Sequence, residues 1–183
     1  MKVFVFFVLF FVSGTTFSRP LKSTSNIDRI LEIDTTASEK FLKKGIEKRA
    51  LNDYEGAKLD FTNAIKKNPK NVKAYLNRAY LNEILGVPFE AIEDYSKVLE
   101  LNPKDVDTYI SRAFVKWGLN ELQSAIHDLD LAIGLDKKNG EAHFYRGLLM
   151  LLIDKREEGC EDLYKAKELQ HDITDEELLK YCK

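Results

Sequence analysis

Two cysteines and three histidines are the residues of this chain best suited to bind a metal or to act as nucleophiles. Cys160 and Cys182 lie near the C-terminal end, and none of His127, His143 and His171 lies three or four residues from another histidine or a cysteine. Cys160, His171 and Cys182 could gather around a metal, but a disulfide would use the same two cysteines. The sequence contains no nucleophile elbow, glycine-rich phosphate loop or zinc-protease motif. We therefore expect no catalysis, no metal and no cofactor.

Charged side chains of opposite sign recur at one fixed spacing of 34 residues. These residues could form an electrostatic track for a ligand, or they could pair between packed helices. Arginine and lysine are rarely buried without a partner, and a partner recurs here at the same interval, so we favour pairing. The basic series is Lys44, Arg78, Arg112 and Arg146, and the acidic series is Asp60, Asp94, Asp128 and Asp162.

The same spacing organises most of the chain into four units, 38–71, 72–105, 106–139 and 140–173. A fixed period of this size is the signature of stacked helical repeats. Two positions in each unit, the eighth and the twentieth, always carry a small residue, which lets two helices approach closely. We therefore predict an all-α fold of paired helices. The small residues are Gly45, Ala79, Ala113 and Gly147 at the eighth position, and Ala57, Ala91, Ala125 and Gly159 at the twentieth.

This pattern resembles the tetratricopeptide repeat family, in its variant with Arg and Gly or Ala at the seventh and eighth positions. Pro69 and Pro103 follow the pattern by ending the second helix of their units, whereas Lys137 and His171 replace that proline and Lys44 replaces the arginine. The resemblance implies a right-handed α-solenoid of four repeats. A capping box at Thr174-Asp175-Glu176-Glu177 predicts a further helix, in 174–183, that caps the end of the array.

The segment before the repeats is predicted to have two parts. Residues 1–18 have the basic, apolar and small-residue regions of a secretory signal peptide, with Arg19 as the expected mature start. The apolar run is too short to span a membrane, and no nearby cysteine suggests a lipoprotein. We therefore expect a secreted or periplasmic protein with no stable membrane span after cleavage. Residues 19–37 are linker-like, but Ile27, Ile30 and Leu31 at helical spacing leave open a short helix that covers the first unit.

The expected export of the protein bears on its cysteines, and its net charge bears on the class of partner that it can bind. An even number of cysteines in an exported chain predicts a disulfide, here Cys160–Cys182. The residues around both cysteines also resemble the C-terminal end of some exported bacterial members of this repeat family. A net charge of −2 lacks the basic excess of nucleic-acid binders, so we expect no nucleic-acid partner.

The family resemblance also implies a concave groove lined by the first helix of each unit. The residues at its ligand-facing positions are mostly apolar and aromatic, so we expect the partner to be an apolar segment of another protein or peptide. Asp107 stands where carboxylate-binding members need a lysine. Alternatively the groove is filled by the protein itself, through the segment around Ile30 or through association of two copies into a homo-oligomer. The expected groove residues are Leu42, Ile46, Leu76, Asn77, Tyr80, Ile110, Phe114, Trp117, Phe144, Leu148 and Leu151.

Overall fold

The computed structural model describes residues 26–182. The expected signal peptide, residues 1–18, lies outside the described residues. Within the described part every regular element is an α-helix, and consecutive helices pack as pairs. The predicted all-α solenoid is therefore confirmed. The helices are α1 Asn26–Ala50, α2 Tyr54–Lys67, α3 Val72–Ile84, α4 Pro88–Leu101, α5 Val106–Gly118, α6 Leu122–Leu135, α7 Gly140–Leu152, α8 Arg156–Glu168 and α9 Asp175–Tyr181.

The helices begin and end at residues that recur with the repeat. Asn71, Asp105 and Asn139 cap α3, α5 and α7, each accepting a hydrogen bond from the backbone N–H three residues later. Within each repeat the first helix ends in one residue of left-handed conformation, which turns the chain into the second helix. These residues are Asn52, Gly86, Asn120 and Asp154, with φ between 61° and 69°.

Small residues bring the two helices of each repeat together, as the sequence predicts. A Cβ atom added to Gly147 would lie 2.9 Å from the carbonyl oxygen of Gly159, and one added to Gly159 would lie equally close to the oxygen of Gly147. In the first repeat a Cβ on Gly45 would lie 2.5 Å from the buried ring of Phe61. Close-packed interiors cannot absorb such an atom without moving a helix.

The helix that the sequence left open within residues 19–37 is present from Asn26 onward and is continuous with the first repeat helix. The first repeat helix continues back to Asn26 without a break, because residues 26–44 contain neither glycine nor proline. Asp34 on this extension forms an ion pair with Lys67 at the end of α2, with 3.2 Å between Oδ1 and Nζ. Leu31 is 59% exposed, so this side chain does not fill a groove.

Candidate binding groove

The recurring charges pair between the two helices of a repeat, as favoured from the sequence. The guanidinium of Arg112 donates two hydrogen bonds to Asp128, at 2.9 and 2.7 Å. Arg78 makes the same pair with Asp94. Asp128 is fully buried, and its charge would be costly there without a partner. These pairs hold the repeats together and are not a track for a ligand.

Each arginine also reaches back to the preceding repeat. Nη1 of Arg78 donates to the hydroxyl of Thr62 at 3.1 Å, and Nη1 of Arg112 donates to that of Ser96 at 2.9 Å. Arg146 donates from Nη1 to Asp130 at 2.7 Å while it pairs with Asp162 in its own repeat. The hydrogen bond to Asp162 raises the pKa of Arg146 although burial opposes the charge. One side chain therefore connects three helices.

The first repeat departs from the expected pairing of the basic series with the acidic series. Lys44, the predicted partner of Asp60, is exposed and lies beside the ring of Phe41. Lys48, one turn later, takes its place, with Nζ 2.6 Å from Oδ2 of Asp60. Lys116 occupies the same position in the third repeat and contacts Asp128 as well. No repeat precedes the first within residues 26–182, so an arginine at residue 44 would find no second partner there.

The expected groove residues fall into three groups by exposure. Ile46, Tyr80 and Phe114 occupy the same position in three consecutive repeats and are 41%, 49% and 53% exposed. Leu76, Asn77 and Trp117 are half-buried. Leu42 and Ile110 were expected at the surface but are buried, because they pack in the hydrophobic clusters beneath the face. We use groove face for the surface formed by α1, α3, α5 and α7.

The fourth repeat contributes less to the groove face than expected. Phe144, Leu148 and Leu151 pack against a cluster of Leu163, Ile173 and Leu178, the last of which lies on α9. Leu178 of α9 therefore shares an apolar cluster with three positions that the family pattern places in the groove, and these three side chains are half-buried. The ring of His171 also lies against Phe144, with 4.5 Å between the ring centroids.

A disulfide between Cys160 and Cys182 holds the capping helix to α8, as predicted. The predicted capping box is present too: the Thr174 hydroxyl accepts the Glu177 N–H, and the Glu177 carboxylate accepts the Thr174 N–H. That hydrogen bond from the backbone of Thr174 lowers the pKa of Glu177. Among the described residues no three His, Cys, Asp or Glu side chains come together in an arrangement that could hold a metal ion.

An aromatic cluster lies at the centre of the groove face. Phe114, Trp117 and Tyr145 contact one another, with ring centroids 6.0 to 6.3 Å apart. Trp117 also packs on the core of the third repeat, which explains its partial burial. Sequence reasoning missed Tyr145, which is adjacent to the expected position of Phe144 and is half-buried against the core of the third repeat.

A cavity of about 260 Å³ opens beside this cluster. Glu83 lies in its wall and accepts a short hydrogen bond from the hydroxyl of Tyr95. Burial raises the pKa of Glu83 and also that of Tyr95. Three helices of three different repeats supply most of the wall, so the cavity could not be read from any one repeat. Its lining residues are Tyr80, Glu83, Tyr95, Ile110, Ser111, Phe114, Glu141 and Tyr145.

No helix in the described part of the chain combines the length and apolar character needed to cross a membrane.

Comparisons with known proteins identify the architecture. Residues 42–106 match the family model described as tetratricopeptide repeat, whereas the sequence has no significant match among curated proteins. The crystal structure of MamA protein is similar, with a TM-score of 0.69 and 24% identity over 73% of each chain. A tetratricopeptide repeat protein from Parabacteroides merdae ATCC 43184 has a TM-score of 0.72 and 21% identity, covering 76% of this chain and 56% of that chain. The first TPR of Spaghetti (RPAP3), bound to an HSP90 peptide, has a TM-score of 0.61 and 21% identity, covering 66% of this chain and 95% of that chain.

Proposed function

Because this chain is a tetratricopeptide repeat protein, we propose that it is a non-catalytic scaffold that binds an apolar segment of another protein on its groove face. The observation that carries the proposal is the row of Ile46, Tyr80 and Phe114. These large side chains are exposed on the first helices of three consecutive repeats, where folding alone would favour their burial. Aromatic residues in such a position typically supply much of the energy of an interface.

The chemistry of the groove face favours an apolar segment over a terminal carboxylate. Asp107 would repel a carboxylate, and the side-chain amide of Asn77 already donates to the carbonyl oxygen of Lys73 at 2.8 Å. The Spaghetti repeat shows that a similar fold can hold a peptide. This chain would use the same face with different side chains.

We further propose that the protein works outside the cytoplasm, in the periplasm or in the medium. The disulfide between Cys160 and Cys182 is typical of proteins that fold under oxidising conditions. The expected signal peptide supports the same location. Detection of the mature protein in the periplasmic or medium fraction, with Arg19 at its N-terminus, would test the proposal; a full-length protein in the cytosol would contradict it.

Site-directed cross-linking tests the groove assignment. A photo-reactive amino acid placed at residue 114 in the native cells should capture a partner, and mass spectrometry should identify the attached segment. The same amino acid at residue 89 is the matched control, because Phe89 is 65% exposed but lies on α4, outside the groove face. Equal capture at both residues would contradict the groove assignment.

The identified segment then allows a quantitative test. Truncating a phenylalanine buried at an interface costs about 2 kcal/mol, so Phe114→Ala should weaken binding of the synthetic segment roughly thirtyfold. Phe89→Ala should leave the affinity unchanged. Trp117→Ala is a poor choice, because Trp117 packs on the core and its loss would also destabilise the fold.

Self-association remains the alternative for the same surface. Two copies that meet through the groove face would also bury Tyr80 and Phe114. Light scattering separates the two cases: a dimer that Phe114→Ala dissociates, with no other protein captured at residue 114, would favour self-association.

A further inference from the structure

The cavity on the groove face has features that the proposed apolar segment does not explain. We propose that it binds the side chain of a lysine or arginine of the partner segment. This inference rests on the proposed function and specifies one residue type of the partner. It follows from the shape of the cavity, the rings in its wall and the charge of its lining.

The wall of the cavity is aromatic on several sides. Tyr80 and Phe114 are about half exposed, and Phe114 and Tyr145 meet at an interplanar angle of 59° with centroids 6.0 Å apart. The faces of aromatic rings attract cations. A volume of about 260 Å³ is below the usual range for small-molecule sites, which begins at roughly 300 Å³, and suits a single long side chain.

The charge of the lining is negative and uncompensated within the cavity. Glu83 and Glu141 both contribute to the wall, and none of the lining residues is a lysine or an arginine. Burial raises the pKa of Glu83, although the hydrogen bond from Tyr95 opposes the shift. Burial raises the pKa of the Tyr145 phenol, and the negative charge of Glu141 adds to that shift. A basic side chain would neutralise this charge, whereas an apolar side chain would bury Glu83 further with only the Tyr95 hydroxyl as its partner and no opposite charge.

One ring of the cavity already holds a cation in the folded protein. The guanidinium of Arg49 lies 5.5 Å from the centroid of the Tyr80 ring. Arg49 lines a different cavity, together with Tyr54, Tyr80 and Ile84. The ring of Tyr80 is therefore accessible to a guanidinium at this surface, and the partner's basic residue would lie in the neighbouring cavity with the two glutamates.

A set of capped peptides tests the inference without knowledge of the natural partner. The probes are identical leucine-containing peptides that carry lysine, arginine, norleucine or glutamate at the central position. Their leucines supply the apolar contacts of the proposed function, and the central residue alone tests the cavity. We expect the lysine and arginine peptides to bind about tenfold more tightly than the norleucine peptide, as measured by fluorescence anisotropy or NMR titration.

Three variants show whether the preference arises in the cavity. Glu83→Gln should reduce the preference for lysine over norleucine to about threefold or less, since glutamine can still accept the Tyr95 hydroxyl but carries no charge. Phe114→Leu should also reduce the preference while it retains much of the affinity for the norleucine peptide. Glu90→Gln, an exposed carboxylate on α4, is the matched control and should leave the preference unchanged. Thermal unfolding would establish that all three variants are folded.

Three outcomes of these experiments would overturn the inference that the cavity binds a basic residue of another protein. Equal binding of all four peptides would overturn it and leave the apolar groove of the proposed function intact. Binding by none of them would overturn it too, while the proposed function would stand or fall on cross-linking at residue 114. A dimer of the unmodified protein that Glu83→Gln dissociates would assign the basic residue to a second copy and overturn the assignment to another protein.

Discussion

Replacing Arg78 with methionine tests how much the arginine pairs contribute to stability. The variant keeps an apolar stem of similar length but removes the guanidinium, so the buried carboxylate of Asp94 loses both of its short hydrogen bonds. The remaining donor is the side-chain amide of Asn82, with Nδ2 3.3 Å from Oδ2 of Asp94. Removing one partner of a buried ion pair typically costs about 3–5 kcal/mol, and we expect a loss of unfolding free energy in this range.

Arg112→Met is the matched comparison, because most contacts of the two arginines are the same. Each lies 5.8 Å from the centroid of a tyrosine ring, and each donates to a hydroxyl of the preceding repeat. Asp128, however, retains Lys116, with Nζ 2.7 Å from Oδ2. A hydrogen bond to a charged group contributes about 1.5–3 kcal/mol, so Arg112→Met should cost less than Arg78→Met by about that amount.

Urea unfolding followed by far-ultraviolet circular dichroism measures both losses. The slope of the free energy against urea should be compared between variants, because a repeat protein can lose cooperativity when one interface weakens. A cost for Arg112→Met equal to or larger than that for Arg78→Met would refute the reasoning. The double variant Arg78→Met with Asp94→Leu should recover part of the loss, since neither charge is then left buried alone.

Three further predictions concern the capping helix and the close helix approach. Replacing Cys160 with serine removes the bond to Cys182 and should lower the unfolding free energy by about 3 kcal/mol in the chain-entropy model, measured by thermal unfolding, with earlier proteolysis of α9. Gly147→Ala should lower the free energy of unfolding by about 1–3 kcal/mol, because its Cβ would lie 2.9 Å from a backbone carbonyl oxygen. Gly134→Ala is the control, because a Cβ there meets open space, and it should stabilise α6 by up to about 1 kcal/mol. Hydrogen exchange of α9 should increase in acid, because the pKa of Glu177 is lowered in the folded state. Its contribution to stability is present above its ordinary pKa of 4.5 and is lost as the pH falls through the lowered pKa.

Each of these predictions has an outcome that would contradict its reasoning. Unchanged stability of the cysteine variant would mean that α9 is held by its apolar contacts alone. Equal effects of alanine at residues 147 and 134 would show that the helices adjust without cost. A Glu177→Gln variant whose α9 still opens in acid to the same extent would assign the acid sensitivity to another group.

The repeating part of the fold could be predicted well from the sequence. Helix pairing depends on residue size at fixed positions, and Ala79 and Ala91 carry that information in the sequence itself. The pairing of Arg112 with Asp128 was predictable for a similar reason, because a buried charge requires a partner at a matching interval. Lys44 does not pair with Asp60, contrary to the prediction. The position of Lys44 depends on contacts with a preceding repeat, and no repeat precedes the first one within residues 26–182.

The groove could be predicted only in part. A position in the repeat pattern indicates which face of the helix a residue lies on, but it does not indicate how deeply its side chain is buried. Leu42 and Ile110 lie on the expected face yet are buried by their neighbours. Phe144 is half-buried because it packs against His171 and against the cluster that contains Leu178 of α9, and a family position does not encode these contacts. Glu83 and Tyr145 come together across three repeats, so their shared cavity appears only in the assembled structure.

Arg78 and Arg112 each form hydrogen bonds within their own repeat and with the preceding one. This arrangement affects how the number of repeats can change in evolution. The hydrogen bonds of Arg78 and Arg112 each join residues that are 16 positions apart in sequence. That separation is unchanged when a whole unit is duplicated or deleted in the interior of the array. An in-frame gain of one unit of 34 codons after the second repeat would supply both the new arginine and the hydroxyl that it needs. Such a gain would therefore keep the arginine hydrogen bonds at both new junctions, while the C-terminal end with its disulfide would stay the same.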